Sequence, residues 1–286
     1  MSVSRSEPPT SGGSGIEAPL HGETESQWLK AMDDLRDGAM EWRLWGTIAW
    51  QDLRNQYRRS VIGPFWMTLS MAILVIILGL IWSKLLGSQR GQYMPYIALG
   101  FITWQLIQNM LQAGCKVFIA EREVIRQLPG PLSIHVFGLV WQQLIIFGHN
   151  IWVYVGVAMV YSIWPGMTAL LALPGLFLVC VNVFWMALLF GIVSSRFRDI
   201  PQFIQSFIRP LFYLTPIIWS PDMLPGRAIF VDINPLYHLI EMVRSPLLGE
   251  VPAMQSYVFV LAIAVIGWAV TFAVFMRYRW RIAYWV

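Results

Sequence analysis

The chain is predicted to be an all-α polytopic membrane protein, and three observations carry the prediction. Of its 286 residues, 57% are hydrophobic and only 13% are charged, where a soluble domain carries about 25% charge. Uncharged apolar runs long enough to cross about 30 Å of hydrocarbon recur along it. The longest, residues 127–195, extends for 69 residues without Lys, Arg, Asp or Glu. This composition excludes an ordinary soluble enzyme, a disordered regulator and a secreted disulfide scaffold. Cys115 and Cys180 both lie in apolar runs and read as small packing residues rather than a bridge. A net charge of +4 is too small to indicate nucleic acid, and it fits a basic excess sorted to one side of a bilayer.

Taken in order, residues 1–40 are rich first in Ser, Gly and Pro and then in acidic side chains. No apolar segment follows a basic start, so no signal peptide is expected. A disordered cytosolic leader over 1–40 is expected instead, ahead of a transmembrane domain over 41–286. The segment 41–59 reads as an amphipathic helix. At 100° per residue Trp42, Trp45, Ala49, Leu53 and Tyr57 share one face, and Arg43, Arg54 and Arg58 share another. Such a helix lies in the interface with rings toward acyl chains and guanidinia toward headgroups, either as an anchor or as a substrate contact. Ser60-Val-Ile-Gly-Pro64 then breaks it and turns the chain into the membrane.

Six spans follow, at about 65–84, 93–115, 134–162, 168–194, 201–219 and 256–276. The first rests on 19 uncharged residues, Phe65 to Ser83, or roughly 28 Å of helix. Trp164-Pro165-Gly166 divides the long uncharged run into the third and fourth, and Arg209-Pro210 interrupts the fifth. With a cytosolic amino end, the short loops place twelve basic residues inside and four outside, the four being Lys84, Arg90, Arg227 and Arg244. That asymmetry sets both termini in the cytosol.

No reactive centre is evident. Only three lysines occur, Lys30, Lys84 and Lys116, and none follows a glycine, so a phosphate-cradling G-x-x-x-x-G-K-[ST] loop is excluded. There is no H-E-x-x-H, no C-x-x-C and no D-x-D spacing, and the six spans contain no Asp or Glu. Ion-coupled transport normally uses carboxylates at mid-membrane. His135 and His149 are the titratable candidates within the third span, and both read as imidazoles packed between helices or near an interface.

Four features could carry mechanism. The first is the helix and turn just described, with Arg54, Arg58, Arg59, Ile62 and Gly63 at their junction. The second is the cytosolic loop Ala120-Glu-Arg-Glu-Val-Ile-Arg-Gln-Leu-Pro-Gly-Pro131. Its charged helix, with Glu121, Arg122, Glu123 and Arg126, either docks into a partner's groove or is a solvated turn. The third is Ser195-Arg-Phe-Arg-Asp-Ile-Pro201, where Arg196 and Arg198 either anchor the chain or pair with Asp199 to fix an interhelical angle. The fourth is the external segment 215–254, whose apolar pieces at 228–233 and 236–243 are too short to span. They suit short re-entrant helices before the last span.

In this order the four features resemble the permease subunit of ABC-2 type exporters, in the branch exporting O-antigen, capsule and teichoic-acid polysaccharides. The resemblance covers roughly residues 41–286. Its strongest local matches are Arg58-Arg-Ser-Val-Ile-Gly-Pro-Phe-Trp66, Ser195-Arg-Phe-Arg-Asp-Ile200 and the Asn234-Pro235 segment. Ile62-Gly63 stands where that family usually has Leu-Gly. The resemblance implies a homodimer in the cytoplasmic (inner) membrane, bound to two copies of a separate ABC ATPase. It implies no cofactor in this chain, with ATP and Mg on the partner. The second feature would be the coupling helix, and the substrate a polysaccharide on a polyprenyl pyrophosphate lipid. Phe65, Trp66, Arg209 and Tyr213 are the candidate channel residues, since sugar C–H faces stack on aromatic rings. Arg209 is expected to face protein or a water-filled cavity. A permease for a drug or small lipid is the alternative.

Overall fold

The computed structural model describes residues 21–286 apart from 59–61, 64, 86–89, 129 and 224–228. Arg59, Pro64, Arg227 and the leader up to residue 20 therefore lie outside the described residues, whose regular elements are all helices. A chain with so few charges must satisfy its polar side chains internally, and helix α4 (Arg90–Gly114) does so at the centre of the bundle. It packs against α3 (Phe65–Leu85), α7 (Ser133–Tyr161), α8 (Ala172–Arg196), α9 (Ile200–Leu214) and α11 (Pro235–Leu247). Ile97, Leu99, Ile102, Ile107 and Met110 of α4 are buried. Its amides bond across to α7: Asn109 Nδ2 donates to Gln143 Oε1 at 3.2 Å, and Asn150 Nδ2 donates to Gln105 Oε1 at 2.8 Å.

Among the described residues four helical segments are long and apolar enough to cross a membrane, namely Phe65–Trp82, Ser133–Tyr161, Gly166–Arg196 and Met254–Trp285. The other two expected spans correspond to helices of a different kind. At 25 residues α4 is long enough, but its amides lower its hydropathy. The expected fifth span ends early, because α9 stops at Leu214 rather than running to Trp219. Thr215 precedes Pro216, which disfavours the helical region, and its backbone is extended at φ −89°, ψ 134°. Fifteen residues make about 22 Å of helix, short of the hydrocarbon thickness. The last helix, α12 (Met254–Trp285), instead continues beyond the expected Met276 and carries Arg277, Arg279 and Arg281.

The expectation of a disordered leader fails over residues 21–40. They form α1 (His21–Met40), packed on α7 and α12. Ala31, Asp34 and Gly38 recur at helical spacing as one buried stripe, and Asp33 and Asp37 lie on the exposed faces. Buried Asp34 accepts hydrogen bonds from the backbone N–H groups of Leu132 and Ser133, both at 2.9 Å, and from Arg279 Nε at 2.6 Å. Ser133 Oγ donates back to the Asp34 carbonyl at 2.6 Å. The opening turn of any helix leaves N–H groups without partners, and Leu132, at the N-cap of α7, has no side chain to cap them. Asp34 supplies that cap from a different helix.

Outside the long helices, the chain returns through α10 (Ile229–Ile233) and α11. Asn234 starts α11 by accepting from Leu236 N at 3.0 Å and Tyr237 N at 3.4 Å, and Pro235 takes the first helical position. Arg244, expected to be a loop cation, is wholly buried and paired with Glu241 one turn earlier. Backbone approaches closely where α8 crosses α11, and a Cβ on Gly175 would collide with the carbonyl oxygen of Met242. Gly175→Val should therefore lower stability by about 1–3 kcal/mol, read as a lower melting temperature in detergent. An unchanged melting temperature would show that the two helices can part freely.

Candidate functional site

Three helices enclose a groove of about 840 Å³, with α3, α4 and α9 as its walls. Gln105, Gln108 and Gln112 fall on one face of α4 by their spacing, and all three line the groove together with Gln205 of α9. Between the amides stand rings. Phe212 lies 5.3 Å from Phe101 and 5.6 Å from Trp104, and Tyr213 meets Phe212 edge-on at 5.1 Å. Trp104 Nε1 donates to Gln108 Oε1 at 2.7 Å, which fixes the indole against the wall. Tyr213 is 71% exposed, so its ring is free to be covered by something else. Amide dipoles and ring faces without carboxylates suit a neutral, hydroxyl-rich ligand that slides rather than locks.

Of the residues expected to line a channel, Trp66, Arg209 and Tyr213 do line this groove. Phe65 is exposed and stands apart from it. Arg209 is the one charged residue among the described groove lining, the tenth of the fifteen residues of α9. The glutamine stripe was missed. Its i, i+3, i+7 spacing is readable in the sequence, but a survey of charged residues passes over uncharged amides.

The junction ahead of α3 is built on α2 (Trp42–Tyr57). Its face of Trp45, Ala49 and Leu53 does not turn to acyl chains as expected but packs on α7. Ala49 and Leu53 are buried, and Trp45 lies 6.1 Å from Phe137 and 5.9 Å from Trp141. Trp42 and Trp50 remain exposed. Arg54 in the last turn and Arg58 at the C-cap are both exposed, where cations complement the helix dipole. Ile62 is exposed, and Gly63 adopts φ +61°, a left-handed turn that glycine makes without strain. Its carbonyl accepts from Trp66 N at 3.2 Å. Arg54, Arg58, Ile62 and Gly63 thus occupy one short stretch leading to the groove wall at Trp66.

The charged loop folds as α5 (Val117–Ala120) and α6 (Arg122–Gln127). Val117, Phe118 and Ile125 are buried and root it in the bundle. Arg122 and Glu123 are exposed and 3.9 Å apart, and Val124 and Leu128 are also exposed. Burial holds the Glu121 carboxyl above the usual carboxylate range, and the nearby Asp52 charge of α2 pushes the same way. Arg126 is exposed as well, but its guanidinium is tied to the protein by donating to the Val286 carbonyl.

The second junction behaves similarly. Of the two readings of this junction, anchoring or a pair with Asp199, the second is not seen: among the described residues Asp199 pairs with neither Arg196 nor Arg198. Arg198 instead donates to the Trp285 carbonyl at 3.0 Å, and Arg196 lies 5.7 Å over the Trp285 ring. Three arginines from two loops therefore converge on residues 285–286. Of the two histidines in α7, His149 shares a hydrogen bond with the Ile145 carbonyl of its own helix.

Comparison with known proteins agrees with this layout. The family model described as ABC-2 type transporter matches residues 43–248. Two O-antigen export system permease proteins, both RfbA of Klebsiella pneumoniae, are 24% and 23% identical over 238 residues. Each alignment covers 82% of this chain and 91% of the relative. The matched segment contains the groove helices, the loop of α5 and α6 and the arginine junction, and the chain belongs to the ABC-2 type transporter family.

Proposed function

We propose that this chain is the transmembrane subunit of an ATP-driven exporter that moves a polyprenyl-pyrophosphate-linked polysaccharide, O-antigen in class, from the cytosolic to the outer face of the inner membrane. The observation that carries the reading is the groove of α3, α4 and α9, with its rings, its four glutamines and its lack of any carboxylate. Sugar faces stack on such rings without fixed register, and amides exchange hydrogen bonds with hydroxyls. The relatives' description as O-antigen export permeases points to the same substrate class.

Two copies of the chain would close the groove. Apart from Ile208, α9 buries little within one copy, which leaves it available to a second. α4 and α9 would complete six spans per copy, with α10 and α11 re-entrant near the exit and both termini cytosolic. Two copies of an ABC ATPase, with ATP and Mg bound to them, would dock at Glu121, Arg122 and Glu123. Arg54, Arg58 and Arg59 beside Ile62-Gly63 would recognise the pyrophosphate, since a planar guanidinium fork matches phosphate oxygens.

Arg58→Glu with Arg59→Glu is expected to reduce export by at least about tenfold and leave lipid-linked polymer in the cytosol. Protein level in the membrane and ATPase binding should persist. Surface polymer and cytosolic polymer are measured in a strain carrying only the variant. Normal accumulation of the variant with wild-type export would sink the pyrophosphate assignment. A strain lacking the chain that still displays its polymer would sink the substrate class.

A further inference from the structure

A second cleft, of about 720 Å³, lies between the end of α8 and the last turns of α12. Its floor includes Ile192, Val193 and Val274, and Arg196 and Arg281 are among its charged lining. Trp280 and Tyr284, also lining it, are 64% and 84% exposed. It shares no lining residue with the groove of α3, α4 and α9.

The charge in this cleft is unbalanced. Neither α8 nor α12 contains an Asp or Glu. Arg281 stacks 4.6 Å over the Trp280 ring and Arg196 lies 5.7 Å over that of Trp285. Stacking satisfies the flat face of a guanidinium but leaves its N–H edge without acceptors. Among the described residues, neither arginine pairs with a carboxylate.

Depth narrows the choice of occupant. The uncharged part of α12 through Met276 is about 33 Å long, enough to fill the hydrocarbon. The nine residues from Arg277 to Trp285 then extend about 13 Å farther, into the headgroup layer. Tyr and Trp rings beside arginines are the side chains that settle at that level. An apolar floor below two unpaired guanidinia fits a phosphodiester above and the start of an acyl chain beneath. A free anion would leave the floor uncovered, and a zwitterionic lipid would bring its own cation against Arg196 and Arg281.

We propose that the α8–α12 cleft binds one anionic phospholipid, of the phosphatidylglycerol or cardiolipin class, through Arg196 and Arg281. Basic pockets between membrane helices favour such headgroups. The site needs neither the export reading nor the assigned orientation, because binding can be measured on the isolated protein.

The full-length chain, delipidated in detergent, is titrated with dioleoyl phosphatidylglycerol or dioleoyl phosphatidylcholine and bound lipid is counted by native mass spectrometry. Wild type should bind the first phosphatidylglycerol about tenfold tighter than phosphatidylcholine. Arg196→Gln with Arg281→Gln should lower that preference to below about twofold. Val193→Trp, which narrows the cleft and keeps both arginines, should weaken phosphatidylglycerol binding in the same direction, so the test survives poor folding of the double variant. Equal affinity for the two lipids in wild type would overturn the proposal. So would full preference in either variant, displacement by inorganic phosphate, which would make this a free-anion site, or preferential displacement by farnesyl pyrophosphate, which would assign it to substrate.

Discussion

Glu241→Ala should destabilise the protein by about 3–5 kcal/mol, the cost of leaving one partner of a buried ion pair alone. Arg244 has no exposed surface. Its Nε donates to Glu241 Oε1 at 3.1 Å, its Nη2 reaches the same carboxylate, and its Nη1 donates to the Pro216 carbonyl at 2.7 Å. The guanidinium also lies 3.9 Å over the Tyr96 ring. Glu241 accepts from Ser245 as well, so the pair ties α11 to α4 and to the segment after α9. Without the carboxylate the cation keeps one carbonyl and a ring face, too little to offset its lost hydration. Melting of the detergent-solubilised protein measures the loss. Glu241→Gln, which keeps an acceptor, should lose about half as much, and Glu241→Leu with Arg244→Met should recover most of it, since apolar pairs often replace buried ion pairs without loss. A Glu241→Ala variant melting with wild type would show that Arg244 is hydrated after all.

Asp34→Ala is the second substitution expected to have a large effect, about 2–4 kcal/mol. It removes acceptors from two N–H groups of α7 and from Arg279 together. Because Arg279 is partly exposed, water offsets some of the loss on that side. Asp34→Asn retains an acceptor oxygen and should lose less. Equal melting temperatures for Asp34→Ala and wild type would mean that the Asp34 cap contributes nothing to the fold.

The long helices were readable because an uncharged run has few alternatives in a chain of this composition. Ser133–Tyr161 and the turn at Pro165-Gly166 appear within a residue or two of the expected positions. The extent of α9 was misjudged because Ile217, Ile218 and Trp219 prolong the apolar run past the point where Pro216 ends the helix. The first helix was misjudged for the opposite reason. Among the described residues its buried stripe is Ala31, Asp34 and Gly38, with no large apolar side chain to announce it, and Asp34 is held by backbone groups 98 and 99 positions away and by Arg279. Local pattern cannot reveal a cap supplied at that distance.

At the groove, Trp66, Arg209 and Tyr213 could be nominated because rings and a lone cation in a span are conspicuous. The α4 amides could not stand out among uncharged residues, although their spacing already placed them together. Arg244 was counted as a loop cation although Glu241, three residues earlier, was in view. What the sequence withheld was the surrounding packing, notably the Tyr96 ring and the Pro216 carbonyl.

The Asp34 junction also bears on how such a chain can be rebuilt. Both charged members, Asp34 and Arg279, lie outside the segment 43–248 that the family model covers. The contribution from within that segment is chiefly two peptide N–H groups, at Leu132 and Ser133, which every residue except proline can supply. A relative's translocation segment could therefore be grafted between these two flanking helices with the buckle intact, provided neither 132 nor 133 is proline and 133 stays as small as serine, because Ser133 is wholly buried against Gly38.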